Sequence, residues 1–268
     1  MLGATETPYD LRFRLLGIPV RIHPMFWLIM ALLGWQNRNL GAVALWVACA
    51  LVSILVHEFG HGLMSKAYDC SPSIVLWGLG GLCYSQGERQ TPLQRLAVIL
   101  AGPGAGFILF GVVLLITTLL FQISPAEHLE SILSLVGLSH FPSSVSHKFD
   151  RVMQSGKAGY YLETAYHNMI FINLMWGLLN LLPLWPLDGG QATQILLTFV
   201  DRSRGPRWGH VVSLLVAGGL AILIMATTKD MFLVIFFGYF AVINYQVLQS
   251  IHQAHSMGLY QDDDWWRR

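Results

Sequence analysis

Residues 42–67 form an apolar run long enough to cross a bilayer, and its second half contains V-H-E-F-G-H. A spanning helix needs about 20 apolar residues. An ionisable group at its centre costs about 2.5–3.5 kcal/mol. His57, Glu58 and His61 stand close together in this run, so they require a chemical reason. Five further apolar runs lie near 23–36, 93–121, 162–182, 207–228 and 231–252. The first is short, and only Thr228, Lys229 and Asp230 separate the last two. Charged residues make up 12% of the chain, against about 25% in soluble domains. The pattern predicts an all-α polytopic membrane protein of about six transmembrane helices.

The same composition excludes other classes. A net charge of +1 gives no overall field that would attract nucleic acid. Cys49, Cys70 and Cys83 form no CxxC pair and are odd in number, so neither a disulfide frame nor a zinc knuckle is expected. Glu6, Asp10, Arg12 and Arg14 precede the first apolar run, and no small-residue cleavage site follows it. That run is expected to stay in the mature protein.

Two segments depart from the helical pattern. Residues 11–23 alternate with period two around Gly17 and Pro19, which suggests a short strand or an interfacial segment. Residues 73–86 crowd Gly78, Gly80 and Gly81 and read as a glycine-turned β-hairpin, a small sheet element beside the histidine helix. Residues 122–161 are the long polar insert. Ser124, Pro125 and Glu127 predict a capping box at a helix start. Leu129, Ile132, Leu133 and Val136 share one face of that helix, which lies on the membrane surface or packs on other spans. The insert is too short for a second globular domain, so residues 1–268 are expected to form one domain.

Charge sets the expected orientation. With the N terminus inside and six crossings, eleven of the sixteen Lys and Arg residues fall on the cytoplasmic side. Arg38, Lys148, Arg151, Lys157 and Lys229 fall outside. Both termini are then cytoplasmic. His57–His61 and the end of the fourth span, near 180–190, reach the same depth.

His57 and His61 are four apart, one helical turn plus about 40°, so both imidazoles project from one face. Two neutral imidazoles at this spacing can bind one zinc ion. Glu58 sits beside them, where it can take a proton from water. H-E-x-x-H is therefore a zinc-hydrolase pattern with a mechanical basis. A structural pair of histidines hydrogen-bonded between helices is the alternative. A third ligand is needed. Asp188 is an acid at the inner end of an apolar stretch, in N-L-L-P-L-W-P-L-D-G-G-Q. Pro183 and Pro186 end the preceding helix, and Gly189 and Gly190 loosen the segment after Asp188. The alternative for Asp188 is an N-cap on the next helix. His167, near the outer end of the fourth span, reads as a packing histidine.

The HEFGH motif, followed by Asn180 and L-P-L-W-P-L-D-G-G, resembles the site-2 protease family of intramembrane zinc metalloproteases. The resemblance also takes in G-I-P-V-R-I-H-P, the glycine hairpin and A-G-P-G-A-G at Ala101–Gly106. It implies that His57, His61 and Asp188 hold one Zn2+ per chain and that Glu58 is the general base. Asn180 would hold the substrate or its oxyanion, with interhelical hydrogen bonding as the alternative. The family often has Asn where this chain has Gly106, which removes any polar role at that position. No PDZ or CBS domain fits in the length. The implied partners are a transmembrane protein substrate and membrane lipid, in a prokaryotic cell membrane. The implied activity is regulated intramembrane proteolysis. The hairpin would present a strand edge to an unwound substrate or act as a plug over the site. The rival classes are an ion-coupled transporter or channel, whose broken helices also carry acids, and a metal-bound scaffold without turnover, against which Glu58 argues.

The charge count predicts topology. Cysteines introduced at Arg38, Lys157 and Lys229 should label from outside intact cells, and those at Arg89 and Arg204 should not. Outside labelling at 204 would overturn the six-crossing orientation.

Overall fold

The computed structural model describes residues 6–35, 39–78, 80–87, 90–135, 137–153 and 156–257. The sequence expectations for Arg38, Arg89, Val136 and the C-terminal arginines fall outside them. The chain divides into two compact units, residues 1–90 with 101–177, and residues 91–100 with 178–268.

The first unit begins with two strands, β1 (Leu11–Leu15) and β2 (Ile18–Ile22). Leu16 and Gly17 both take positive φ, 51° and 77°. Two left-handed residues in a row match the right-handed twist of a tight hairpin. The helices α1 (Pro24–Leu33) and α2 (Leu40–Ala67) come next, then β3 (Ser71–Trp77) and β4 (Gly80–Gln86). The four strands form one sheet in the order β1-β2-β3-β4. β2 and β3 are parallel, with Val20 opposite Ile74 and Ile22 opposite Leu76. Parallel strands need a long crossover, and α1 with α2 supplies it. The expected hairpin at 73–86 is present, and it is half of a larger sheet. β4 is an edge strand and β3 is not, because β3 pairs on both sides.

Alternation carries one face of the sheet into the core. Ile18, Val20, Ile22, Ile74 and Leu76 are all nearly inaccessible. They cluster with Phe26, Met30, Ile54 and Phe59 of the two helices. His23 closes the arrangement: its N–H donates to Leu76 O at 2.9 Å, and its Nδ1 accepts from Met25 N at 3.1 Å to cap α1. Asn39 caps α2 by accepting from Gly41 N at 3.0 Å.

The rest of the chain is mostly helical, and of the helices next in order residues 92–100 and 178–180 belong to the second unit. α3 (Pro92–Phe121) runs through Pro103, and after it come α4 (Pro125–Leu135), α5 (Ser143–Met153) and α6 (Gly156–Phe171). A π turn (Ile172–Trp176) and α7 (Gly177–Asn180) continue from α6. Phe121, Ile123, Val145, Phe149, Tyr166 and Ile170 form a second core. The capping box forms as expected: Ser124 N donates to Glu127 Oε2 at 2.7 Å, and Glu127 N donates to Ser124 Oγ at 3.3 Å. On α4 the buried residues are His128 and Ser131, while Leu129 is exposed. His128 Nδ1 lies 2.7 Å from Tyr166 Oη and Nε2 lies 2.9 Å from Thr118 Oγ1, so a polar seam holds this helix to its neighbours. The His167 ring packs on Phe141, centroids 4.2 Å apart and tilted by 39°.

The second unit contains α8 (Asp188–Val200), α9 (Gly205–Thr227) and α10 (Met231–Ser256). α9 and α10 form a helical hairpin. Lys229 makes the turn at φ 56°, and Asp230 Oδ1 caps α10 by accepting from Phe232 N at 3.0 Å. Leu184, Ala217, Phe237 and Phe240 are its core.

Among the described residues, α2, α3, α9 and α10 are long and apolar enough to cross a membrane. The other two expected spans take different forms. The ten residues of α1 rise about 15 Å, half the hydrocarbon thickness. The fourth span is α6, the π turn and α7 in succession, and its Glu163, His167 and Asn173 keep it polar. The fold class therefore stands, with four long apolar helices in place of six.

Glu127 supplies a pH-dependent test. Burial alone would raise its carboxyl pKa, yet hydrogen bonds from Lys148 Nζ (2.5 Å) and Ser124 hold it at about 2. A depressed folded pKa stabilises above the ordinary Glu range and loses that stability as pH falls towards 2. Glu127→Ala should speed amide exchange across residues 124–128 about fivefold at neutral pH, for a cap of about 1 kcal/mol. Acid should do the same to the unmodified protein only below about pH 4.5. Equal exchange in both proteins at neutral pH would contradict this account.

Candidate metal centre

α2 carries its polar triplet inside the first unit. His57, Glu58 and His61 are each more than nine-tenths buried. The helical spacing turns both imidazoles to one face, as expected. His57 Nε2 lies 3.1 Å from His61 Nε2, with the rings nearly perpendicular at 79°. Two nitrogens bound at 2.0–2.1 Å to a tetrahedral zinc ion would be about 3.3 Å apart. The pair therefore fits the bite of one ion, and a neutral donor set of this kind suits zinc.

Neighbouring backbone presses on the triplet. The helix α3 crosses α2 where Gly60 leaves no room for a side chain against Ala101 O. A Cβ at Gly102 would overlap His61 Nε2. This gives A-G-P-G-A-G its function: the first glycine lets the α3 backbone lie against a histidine ring. Gly106 has no such demand, since a Cβ there would meet only Asn173 O at 4.0 Å. On the other side, a Cβ at Gly81 would sit 2.6 Å from Glu58 Oε1. The edge strand β4 thus lies directly on the Glu58 carboxyl group.

One turn before His57, Ser53 Oγ accepts from Asn173 Nδ2 at 3.0 Å. Asn173 also donates to Met169 O at 2.8 Å, from within the π turn. Neither residue was singled out from sequence, although an Asn inside an apolar stretch was a visible signal.

The second unit holds Asp188, which is buried. It is the first residue of α8, and Leu187 is the N-cap position. The N-cap alternative is therefore not realised. The helix start still suits a carboxylate, because its unpaired N–H groups favour negative charge. Gly189 and Gly190 do not loosen the segment as the sequence suggested. Both are buried in the first turn of α8. A Cβ on Gly189 would overlap the carbonyls of Leu181 and Leu182, and one on Gly190 would overlap Trp185 N. The glycines let the preceding loop fold back onto the helix. That loop includes a cis peptide at Trp185–Pro186 and turns with Leu184 N on Leu182 O (2.7 Å) and Leu187 N on Leu184 O (2.8 Å). Asn180 ends α7 and is buried.

Residues 45–226 match the model of peptidase family M50, more than half of the chain, and the chain belongs to this family. The site-2 protease resemblance is thereby borne out. A zinc metalloprotease of Methanocaldococcus jannaschii is 26% identical over 195 residues, covering 71% of this chain and 46% of that protein. Rip3 of Mycobacterium tuberculosis, named for zinc metalloprotease activity, is 27% identical over 236 residues, covering 78% of this chain and 50% of that protein. The chain spans about half the length of the named relatives it matches. The solved site-2 protease from Methanocaldococcus jannaschii shares the fold, with a TM-score of 0.53 at 21% identity, over 90% of this chain and 95% of that one. Family and apolar helices together make this an integral membrane protein.

The glycine contacts generate a paired test. Gly102→Ala should push His61 aside and lower zinc bound to the purified protein about tenfold or more. Gly104→Ala should leave it unchanged, since a Cβ there meets nothing within 4 Å among the described residues. Equal zinc content in the two variants would contradict the close approach of α3 to His61.

Proposed function

We propose that this chain is a zinc-dependent intramembrane endopeptidase, hydrolysing peptide bonds in or near the transmembrane segments of membrane proteins. The observation that carries the reading is the buried His57–His61 pair, with facing Nε2 atoms, on an apolar helix that also buries Glu58. Asp188 is the third ligand. It is a buried carboxylate at a helix start, and all three residues offer a ligand atom. Bound there, zinc supplies Lewis acidity that polarises a peptide carbonyl and lowers the pKa of water.

The chain's own groups do the rest. Glu58 accepts a proton from the attacking water as its oxygen bonds to the scissile carbonyl carbon. The C–N bond then breaks, and Glu58 returns the proton to the leaving amine. Asn180, an amide donor, holds the carbonyl oxygen as negative charge develops. A helical substrate must unwind before water can reach its carbonyls, and its freed backbone groups need partners. β4 offers them as an edge strand, and Gly81 brings that strand onto Glu58. Substrate backbone added along β4 is then delivered beside the general base. A transport cycle does not require a carboxyl group beside a histidine pair, whereas hydrolysis by a metal-activated water does, which favours hydrolysis.

The substrate class is a transmembrane protein, with a single span the simplest case, in contact with lipid. The two units act as one protease domain in a prokaryotic cell membrane, with both termini cytoplasmic.

Glu58→Gln should keep about one zinc per chain and lower cleavage of a reconstituted transmembrane substrate by about 10²–10⁴-fold. Loss of zinc together with activity would place Glu58 among the ligands instead. Ser85→Pro in β4, at a position opposite Pro72 where the N–H faces the open edge and not β3, should lower cleavage with normal zinc, and more so for a substrate with a stable helix near the cut than for one carrying Gly or Asn there. Equal loss on both substrates would leave the sheet a purely structural plug.

A further inference from the structure

The second unit buries a chain of polar side chains with no part in the chemistry proposed above. Ser213, His210 and Asn244 are all buried, on α9 and α10. Trp185 N donates to Ser213 Oγ at 2.9 Å, and Asn244 Nδ2 donates to Trp185 O at 2.8 Å. Both polar groups of one loop residue are thus held by side chains from two helices. Asn244 Nδ2 also donates to Phe240 O at 2.9 Å, which occupies both amide hydrogens. Asn244 Oδ1 is then the acceptor facing His210 Nδ1 at 2.8 Å. His210 must carry its proton on Nδ1, leaving Nε2 to accept from Gln194 Nε2 at 3.0 Å. Gln194 lies on α8, and Gly209 leaves the room that its side chain fills.

Helix packing alone does not call for this arrangement. Apolar residues would join α9 to α10 at least as well, because interhelical hydrogen bonds contribute only about 0.6–2 kcal/mol in a membrane. The network is directed elsewhere. One end grips Trp185, three residues before Asp188, and the other grips Gln194, six residues after it. The loop is also pressed against the first turn of α8, where Gly190 admits Trp185 N. Asp188 is bracketed on both sides by groups that meet at His210 and Asn244.

We infer that His210 and Asn244 are positioning residues that fix the Asp188 carboxylate for zinc, with Ser213 as an accessory. The inference rests on Asp188 being a ligand. It assigns to α9 and α10 a defined task at the metal centre, carried through the backbone of Trp185 and the side chain of Gln194. Groups that orient a metal ligand commonly change metal affinity 10- to 100-fold when removed.

The test uses the purified full-length protein, with zinc affinity read by chelator competition and the d–d spectrum of the Co2+-substituted form. Asp188→Ala sets the scale for loss of a ligand. His210→Leu and Asn244→Ala should each weaken zinc about 10- to 100-fold and alter the cobalt spectrum. His210→Asn, whose amide can donate to Asn244 in place of Nδ1, should recover most of both. If Asp188→Ala weakens zinc while His210→Leu and Asn244→Ala match the unmodified protein, the positioning role is overturned and the ligand assignment survives. The same holds if His210→Asn is as impaired as His210→Leu. If Asp188→Ala binds zinc normally, the ligand assignment fails and the positioning role fails with it. Should the larger changes prevent folding, Ser213→Ala removes the acceptor for Trp185 N–H, with one hydrogen bond to Gly209 O inside α9, and a shift or no shift in zinc affinity is read the same way.

Discussion

Ionisable side chains inside an apolar helix persist only where other groups compensate for the lost water. α2 places two histidines and a glutamate in that position, and much of the first unit is arranged around them. The α3 backbone reaches His61 because residue 102 has no side chain, and β4 reaches Glu58 because residue 81 has none. Ser53, one turn before His57, is tied to Asn173 in the π turn. A turn with an extra residue per repeat commonly marks functional sites in helices. Here it falls where a polar side chain is brought to the histidine helix.

The sheet obeys the same constraint. Backbone outside a helix is tolerated at membrane depth only when it is buried in protein or lines a wet cavity. The inner face of the two central strands, β2 and β3, is closed by Ile18, Val20, Ile22, Ile74 and Leu76. This leaves β4 on an edge, while its Gly81 touches the Glu58 side chain. A rigid element with one open edge beside a buried base is a platform on which an unwound peptide can be held extended.

What the sequence disclosed was local. The His57–His61 spacing, the glycine hairpin, the Ser124–Glu127 box and the helix break before Asp188 each depend on residues a few positions apart, and each is present. Long-range features were not legible. The parallel pairing of Val20 with Ile74 joins strands more than fifty residues apart, so residues 11–23 read only as a short extended piece. Gly189 and Gly190 read as looseness because the loop carbonyls they accommodate become neighbours only after folding. The span count exceeded the four long apolar helices because hydropathy does not distinguish a ten-residue helix continued from a strand from one that crosses. His210 and Asn244 were not singled out, because the groups they hold, Gln194 and the Trp185 carbonyl, lie in other segments.

The central claim is that one zinc ion is held by two imidazoles and a carboxylate. X-ray absorption at the zinc edge of the purified protein tests it most directly. The account predicts a low-coordinate shell of nitrogen and oxygen near 2.0–2.1 Å, with the outer scattering of two imidazoles. His61→Ala should reduce that to one imidazole. A shell containing sulfur at about 2.3 Å, or one with two imidazoles still present after His61→Ala, would contradict it.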